Sequence, residues 1–300
     1  MCGIAGILYR TPKAYYHPVG HTLLEMAACL QHRGSDSAGI AVYSQPERRA
    51  SIQVLWPADA ELPEPREVLA AGGGLLSHLQ PESAGFRAVV SEEGSDAVRK
   101  LVTNLETTFP GATAIAFGKS LCIHKTVGAA SKLEEDAEDM TGTHGIAHLR
   151  LATESRIDPA HAQPFWGRPY PDIAVTHNGH ITNYYKLRKR MEARGFSFAS
   201  QNDSEIIGMV IGEKLAAGMD LEAALYEARE VLDGSFSFLV ATAEGIGVLR
   251  DPIATKPLLY VETEDVVALA SEHQALHRVL GNGAKVREIA AREVRVWSKA

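Results

Sequence analysis

The chain begins Met1-Cys2-Gly3-Ile4-Ala5-Gly6-Ile7-Leu8-Tyr9, and the cysteine in second place constrains it most. Removal of an initiator Met before a small residue leaves Cys2 with a free α-amino group a few bonds from its own sulfur. A thiol needs a base to become a nucleophile, and here one residue carries both. An α-amine titrates near pH ~8, so at neutral pH a useful fraction is unprotonated. It can take the thiol proton, directly or through a water, and later return it to a leaving amine. The ordinary alternative for such a Cys is a small buried hydrophobe opening a strand. Either way, residues 3–9 read as a buried strand beginning right after the sulfur.

Composition narrows the classes. With 300 residues, 45% hydrophobic and 22% charged, the chain can bury a sizeable core in one large domain or two small ones. A net charge of −7 supplies no global basic field for nucleic acid. No apolar run is long enough to span a bilayer, and the first residues lack the basic and apolar regions of a signal peptide. Cys2, Cys29 and Cys122 have no paired spacing. They fit a reduced, cytoplasmic protein, with Cys29 and Cys122 inert and buried.

Periodicity predicts an amphipathic helix over 20–32, from Leu23, Leu24, Met26, Ala27 and Leu30. A tight loop, Gln31-His32-Arg33-Gly34-Ser35-Asp36, leads to a strand over 40–43. The stretch from about 57 to 143 has another texture, broken by Pro57, Pro63, Pro65 and Gly72-Gly73-Gly74, the last read as a flexible linker. Within it a helix is expected at 95–108, short strands at 112–117 and 121–127, and a solvated acidic face at 134–139. Strands are then expected at 144–151, 172–177, 235–242, 246–250, 257–262 and 266–270, and helices at 182–194, 204–217 and 221–232. A closing hairpin is expected over 284–298. Such alternation suggests layered helices and sheets.

Four stretches carry residue types that chemistry on an amide needs. His148-Leu149-Arg150 ends a strand, and an Arg there can clamp a carboxylate bidentately or form a surface ion pair. Thr176-His177-Asn178-Gly179-His180 reads as a strand entering a tight turn. Its Asn amide and Gly N–H make two donors that can hold an oxyanion, or an ordinary Asn-Gly turn. Gln201-Asn202-Asp203-Ser204-Glu205 precedes an apolar run, so Asn202 or Asp203 can cap a helix. Asp203 can also receive a substrate ammonium. Arg250-Asp251-Pro252 and Ser271-Glu272 come last.

Taken in order, these stretches resemble the class II glutamine amidotransferase domain of the N-terminal nucleophile hydrolases. The matching pieces are Cys2-Gly3-Ile4, Arg33-Gly34 with Asp36, His148 with Arg150 and Thr153, Asn178-Gly179, Asp203 with Glu205, Arg250-Asp251-Pro252 and Ser271-Glu272. The resemblance implies an α+β, four-layer αββα fold over residues 2–280, with an insertion at about 57–143 and closing strands at 281–300. It implies that Cys2 attacks the side-chain amide of L-glutamine and forms a thioester. Asn178 and Gly179 would hold the oxyanion. Arg150 would pair with the α-carboxylate and Asp203 with the α-ammonium, with Thr153 beside them. No cofactor or metal is implied in this chain.

Two departures bear on the branch. Members that aminate phosphosugars tend to read Arg-Trp-Ala-Thr-His, where this chain has Leu151 for Trp and Glu154 for His. No phosphate loop or acceptor domain is recognised, so the ammonia acceptor is expected on another chain. The subfamily most resembled is the stand-alone amidotransferase subunit of glutamate synthase-like enzymes, including N-methylglutamate synthase. Its partner carries flavin and an iron–sulfur cluster. Rival readings are an amidohydrolase acting on another amide, a non-catalytic regulatory subunit, and a zinc site using His144 and His148. The last is disfavoured because 144–151 reads as a strand.

Overall fold

In the computed structural model, which describes residues 2–11, 14–152 and 156–299, the segment after Cys2 is an interior strand. Strand β1 (Gly3–Tyr9) lies between β8 (His144–Arg150) and β14 (Val266–Ala270), antiparallel to both. A strand buried on both faces reads as a continuous apolar run, and Ile4, Ala5, Ile7 and Leu8 are all buried. The sheet extends through β2 (Ser37–Tyr43) and β7 (Leu121–Val127) on one side. On the other it extends through β13 (Leu259–Glu262) and β15 (Arg287–Glu288), in the order β15-β13-β14-β1-β8-β2-β7.

Helix α1 (Val19–Leu30) covers one face of this sheet, with α8 (His273–Leu280) beside it. Leu23, Met26, Ala27 and Leu30 bury against Ala5, Ile7, Ala147 and Leu149. The opposite face presents Ile4, Leu8, Ala41, Tyr43 and Ile146 to a core shared with a second sheet. That sheet is ordered β16-β12-β11-β10-β9. Its strands are β9 (Phe165–Trp166), β10 (Ala174–Ile181), β11 (Gly234–Thr242), β12 (Gly245–Arg250) and β16 (Val294–Ser298). Its inner residues Ala174, Leu239, Ala241, Ile246 and Val248 complete the shared core. Its outer residues Val175, Phe238 and Val240 pack with α6 (Ser204–Ala216) and α7 (Leu221–Val231). Each aliphatic side chain buried in this way is worth roughly 1.5–3 kcal/mol. Gly6 sits where the sheets come close, and a Cβ there would lie 2.9 Å from Leu239 Cδ1.

Residues 51–118 form a third sheet, β4-β5-β3-β6, from β3 (Ser51–Leu55), β4 (Leu76–Glu82), β5 (Gly85–Val90) and β6 (Thr113–Gly118). Helices α2 (Pro65–Ala71) and α3 (Ser95–Thr108) bury Val68, Val98, Leu101, Val102 and Leu105 into its core. The expected helix at 95–108 is therefore present, with its apolar stripe inward. Strands β3, β4 and β5 and helix α2 are not legible in the sequence. Pairing of β4 with β5 shifts register between Ser77 and Gln80, so the alternation that marks a strand is interrupted. Strand β7 returns to the edge of the first sheet, and the acidic stretch forms the short helix α4 (Glu134–Ala137) near α1.

Two expected turns differ. The Asn178-Gly179 pair lies inside β10, which runs on to Ile181 paired with β11. Residues 284–298 do not make a hairpin: β15 joins β13 in the first sheet and β16 joins β12 in the second. Trp297 anchors β16 by packing against Tyr260, with ring centroids 5.4 Å apart and planes tilted by 50°. Among the described residues no helix is long and apolar enough to cross a membrane.

Candidate active site

The pairing of β1 with β8 brings the end of β8 to Cys2. Cys2 Sγ accepts a hydrogen bond from Leu151 N at 3.3 Å and lies 3.6 Å from Leu151 O. The Cys2 carbonyl accepts from Arg33 Nε and from Asn178 Nδ2, each at 3.0 Å. Arg33 is held in turn by Glu272 at 2.6 Å. Burial raises the Glu272 pKa, but hydrogen bonds from Arg33 and His32 outweigh it and hold the carboxyl below its ordinary value. Next to it, Ser271 Oγ accepts from Ile4 N at 3.0 Å. The residue that carries the sulfur is thus tied to the 31–33 turn, to the residue after β8 and to β10, and the strand that follows it is tied to the residue after β14.

Asn178 is 5% exposed and faces the space between the sheets. Its Oδ1 lies 3.2 Å from His148 Nε2, and its Nδ2 also reaches Ser271 Oγ at 3.4 Å. Gly179 has φ +134°, and a Cβ there would lie 2.1 Å from Ser235 O. Only glycine fits this backbone. His148 is buried, and desolvation pushes its pKa down to about 3, so the ring is neutral.

Arg150, the last residue of β8, is buried, and its Nη1 donates to Arg156 O at 2.9 Å. Desolvation lowers its pKa, against the fields of Cys2, Asp158 and Asp36. Asp203 precedes α6 but does not cap it through its side chain. Asn202 Oδ1 accepts from Ser204 N at 3.0 Å instead. Asp203 Oδ2 accepts from Ile181 N at 2.8 Å, and His180 Nδ1 lies 3.3 Å away. The carboxylate is thereby pulled across to the end of β10. His177, behind it, is buried and its pKa is lowered by desolvation. Thr153 lies outside the described residues.

Cys2, Arg150, Gly179 and Asp203 line one open cleft of about 660 Å³, and buried Asn178, not itself in the lining, donates to the Cys2 carbonyl. The structure therefore brings together every expected site residue that it describes. The cleft is also lined by Tyr184, Tyr185, Arg188 and Phe198, none anticipated from sequence. Arg188 stacks on Phe198 at 4.4 Å and donates to Ser200 O at 2.7 Å, which joins α5 (Tyr184–Glu192) to the segment before α6. The spacing of Tyr184 and Arg188, one helical turn apart, was the available signal. A nucleophile, amide donors, a cation and an anion in one cleft are the parts needed to bind an amino acid and cleave its side-chain amide.

The two histidines weighed as metal ligands have separate partners. His144 Nε2 lies 2.7 Å from Thr242 O, whereas His148 meets Asn178. Among the described residues, no group of three or more His, Cys, Asp or Glu is placed to hold a metal ion.

Residues 148–278 match the family model described as a glutamine amidotransferase domain. The chain is 33% identical, over 99% of both chains, to an inferred glutamine amidotransferase of Methanothermobacter thermautotrophicus. It is also 33% identical to the glutamine amidotransferase-like protein GlxB of Rhizobium meliloti, covering 92% of this chain and 91% of that one. Among solved structures, the glutamine phosphoribosylpyrophosphate amidotransferase of B. subtilis superposes with a TM-score of 0.60 at 19% identity. The match covers 99% of this chain and 49% of that one, so this chain spans about half its length.

Proposed function

This chain belongs to the glutamine amidotransferase family, and we propose that it hydrolyses glutamine at Cys2. With Met1 removed, the α-amine of Cys2 takes the thiol proton, and the sulfur attacks the side-chain amide carbon. Asn178 and Gly179 donate to the oxyanion of the tetrahedral intermediate. The intermediate collapses to a γ-glutamyl thioester as ammonia leaves with the proton returned. Water then attacks the thioester, giving glutamate and the free thiol. Arg150 holds the α-carboxylate and Asp203 the α-ammonium. The single observation that carries this reading is the cleft shared by Cys2, Arg150, Gly179 and Asp203.

The succession of helices, sheet, sheet and helices supports a four-layer αββα N-terminal nucleophile hydrolase fold over 2–280. The separate third sheet of 51–118 supports an insertion at about 57–143. The closing strands are those of 281–300. The ammonia acceptor is assigned to a synthase partner of the glutamate synthase-like kind, bearing flavin and iron–sulfur. Exposed Leu151 and Tyr185, which line the cleft, and nearby exposed Ile157 support a protein surface closing over its mouth.

The test is ammonia release from glutamine by the purified chain. Cys2→Ala should abolish it and Cys29→Ala should retain it, and the intact mass should show a chain beginning at Cys2. Turnover surviving in Cys2→Ala, or an active chain that keeps Met1, would refute the mechanism. A co-purified partner should stimulate the rate, and equal rates with and without it would remove the synthase assignment.

A further inference from the structure

We propose that His148 is a positioning residue that holds the Asn178 carboxamide with its nitrogen turned toward Cys2. The proposal rests on the glutaminase reading and adds to it a residue that does not touch the substrate.

A carboxamide can be turned over with almost no change of shape, so its partners decide which end is which. At one end stands the Cys2 carbonyl, 3.0 Å from the amide nitrogen and able only to accept. At the other stands His148 Nε2, 3.2 Å from Asn178 Oδ1 and 3.2 Å from the carbonyl of His177. That second carbonyl also can only accept, so Nε2 must carry the proton. The same proton is then offered to Asn178 Oδ1. An acceptor on one side and a donor on the other fix the amide in one orientation. Turned over, it would present an oxygen where negative charge develops, and a stabilising donor would become a repelling acceptor.

The arrangement is supported from behind. Gln163 Nε2 donates to His177 O at 3.0 Å, and Gln163 Oε1 accepts from His177 N at 2.6 Å, so the carbonyl that orients the imidazole is itself held. His148 is 1% exposed and lies on β8 two residues before Arg150, so one strand delivers both residues to the cleft. Burial keeps the ring uncharged, with a pKa pushed down to about 3. The donor therefore does not titrate where the enzyme works.

The decisive variant is His148→Phe, which keeps a ring and removes the proton. Its kcat for glutamine hydrolysis should fall about tenfold to hundredfold while KM stays within about twofold, because the carboxylate and ammonium clamps are untouched. His148→Gln, whose amide nitrogen can donate to Asn178, should recover most of the loss. In an Asn178→Ala background, His148→Phe should cost less than about twofold more. In the unsubstituted chain, ¹⁵N shifts of the His148 ring should report a proton on Nε2, a readout that does not depend on any variant folding. A folded His148→Phe protein with wild-type kcat, losses that multiply in the double variant, or a proton on Nδ1 would each overturn the proposal alone. Absence of glutamine turnover in the unsubstituted chain would overturn the glutaminase reading and this proposal with it.

Discussion

The backbone nitrogen of Leu151 donates to the sulfur of Cys2 across 3.3 Å, although the two residues are 149 positions apart. Pairing of β1 with β8 closes that gap, and Asp36 fixes the last part of it. Its Oδ2 accepts from Ala152 N at 2.8 Å, and its own N donates to Arg150 O at 3.0 Å. The segment that carries Arg150 is thereby held against the nucleophile by one residue of the neighbouring turn, through its side chain and its backbone.

Asp36→Ala should therefore loosen residues 150–152 without touching substrate. Loss of a hydrogen bond to a charged group is worth about 1.5–3 kcal/mol, so kcat/KM for glutamine should fall at least about tenfold. Asp36→Asn keeps an acceptor and should fall less. Steady-state ammonia release reads both, and equal losses in the two variants would contradict the role given to the acceptor.

Asp203→Asn separates binding from chemistry. An asparagine can still accept from Ile181 N, so the link from Asp203 to β10 survives. The negative charge facing the α-ammonium does not. KM should rise about tenfold to hundredfold with kcat within a few-fold, the pattern of a lost charge-assisted contact made equally before and during reaction. An unchanged KM would remove Asp203 from the ammonium clamp.

Stability should fall on acidification before the carboxylates titrate. The His144 pKa is pushed down to about 3 by burial. In the unfolded chain it returns to its ordinary 6.5. The unfolded state then binds a proton that the folded state refuses, so stability is fullest above pH 6.5 and declines as pH drops toward 3. The decline is about 1.4 kcal/mol per pH unit for each such histidine, and His148 has the same shift. Urea unfolding at pH 7.5 and pH 5 should show His144→Gln losing about 2 kcal/mol less than the native chain. Parallel losses would mean that His144 is not the group responsible.

The third sheet is fastened to the core by an ion pair. Arg168, at 5% side-chain exposure, donates to Glu106 of α3 at 2.7 Å and also to Ala114 O of β6. Glu106→Gln leaves a buried guanidinium without its counter-charge and should cost about 3 kcal/mol. Asp96→Asn, at a residue with 77% side-chain exposure paired to Arg99, should cost less than about 1 kcal/mol. Comparing the two by urea unfolding tests whether burial, rather than the mere presence of an ion pair, decides the cost. Similar losses would contradict it.

The elements most legible in sequence are those whose burial follows a simple period. β1, α3, β7 and β14 lie at the residues their patterns indicate, because each packs one face or two faces on a continuous core. Helix α8 leaves little trace in the sequence because it is short and buries only Ala275 and Leu276. The Asn178-Gly179 pair has the local chemistry of a turn, yet pairing of β10 with β11 keeps it in a strand. There the positive φ of Gly179 is absorbed as a distortion rather than a reversal. Tertiary pairing outweighed a local preference at the cleft itself.

The order of residue types along the chain determined which chemistry was available: a sulfur beside the terminus, an arginine closing a strand, an asparagine before a glycine, an acid before a helix. Residue identity fixes charge, donor capacity and nucleophilicity, and those survive any fold. The tertiary structure alone decided that these groups face one cleft and that Asp203 reaches β10 rather than capping α6. It alone turned the Asn178 nitrogen toward Cys2, with His148 at the other end of the amide. Orientation depends on partners brought from distant strands, and no spacing along the chain encodes which lone pair meets which proton.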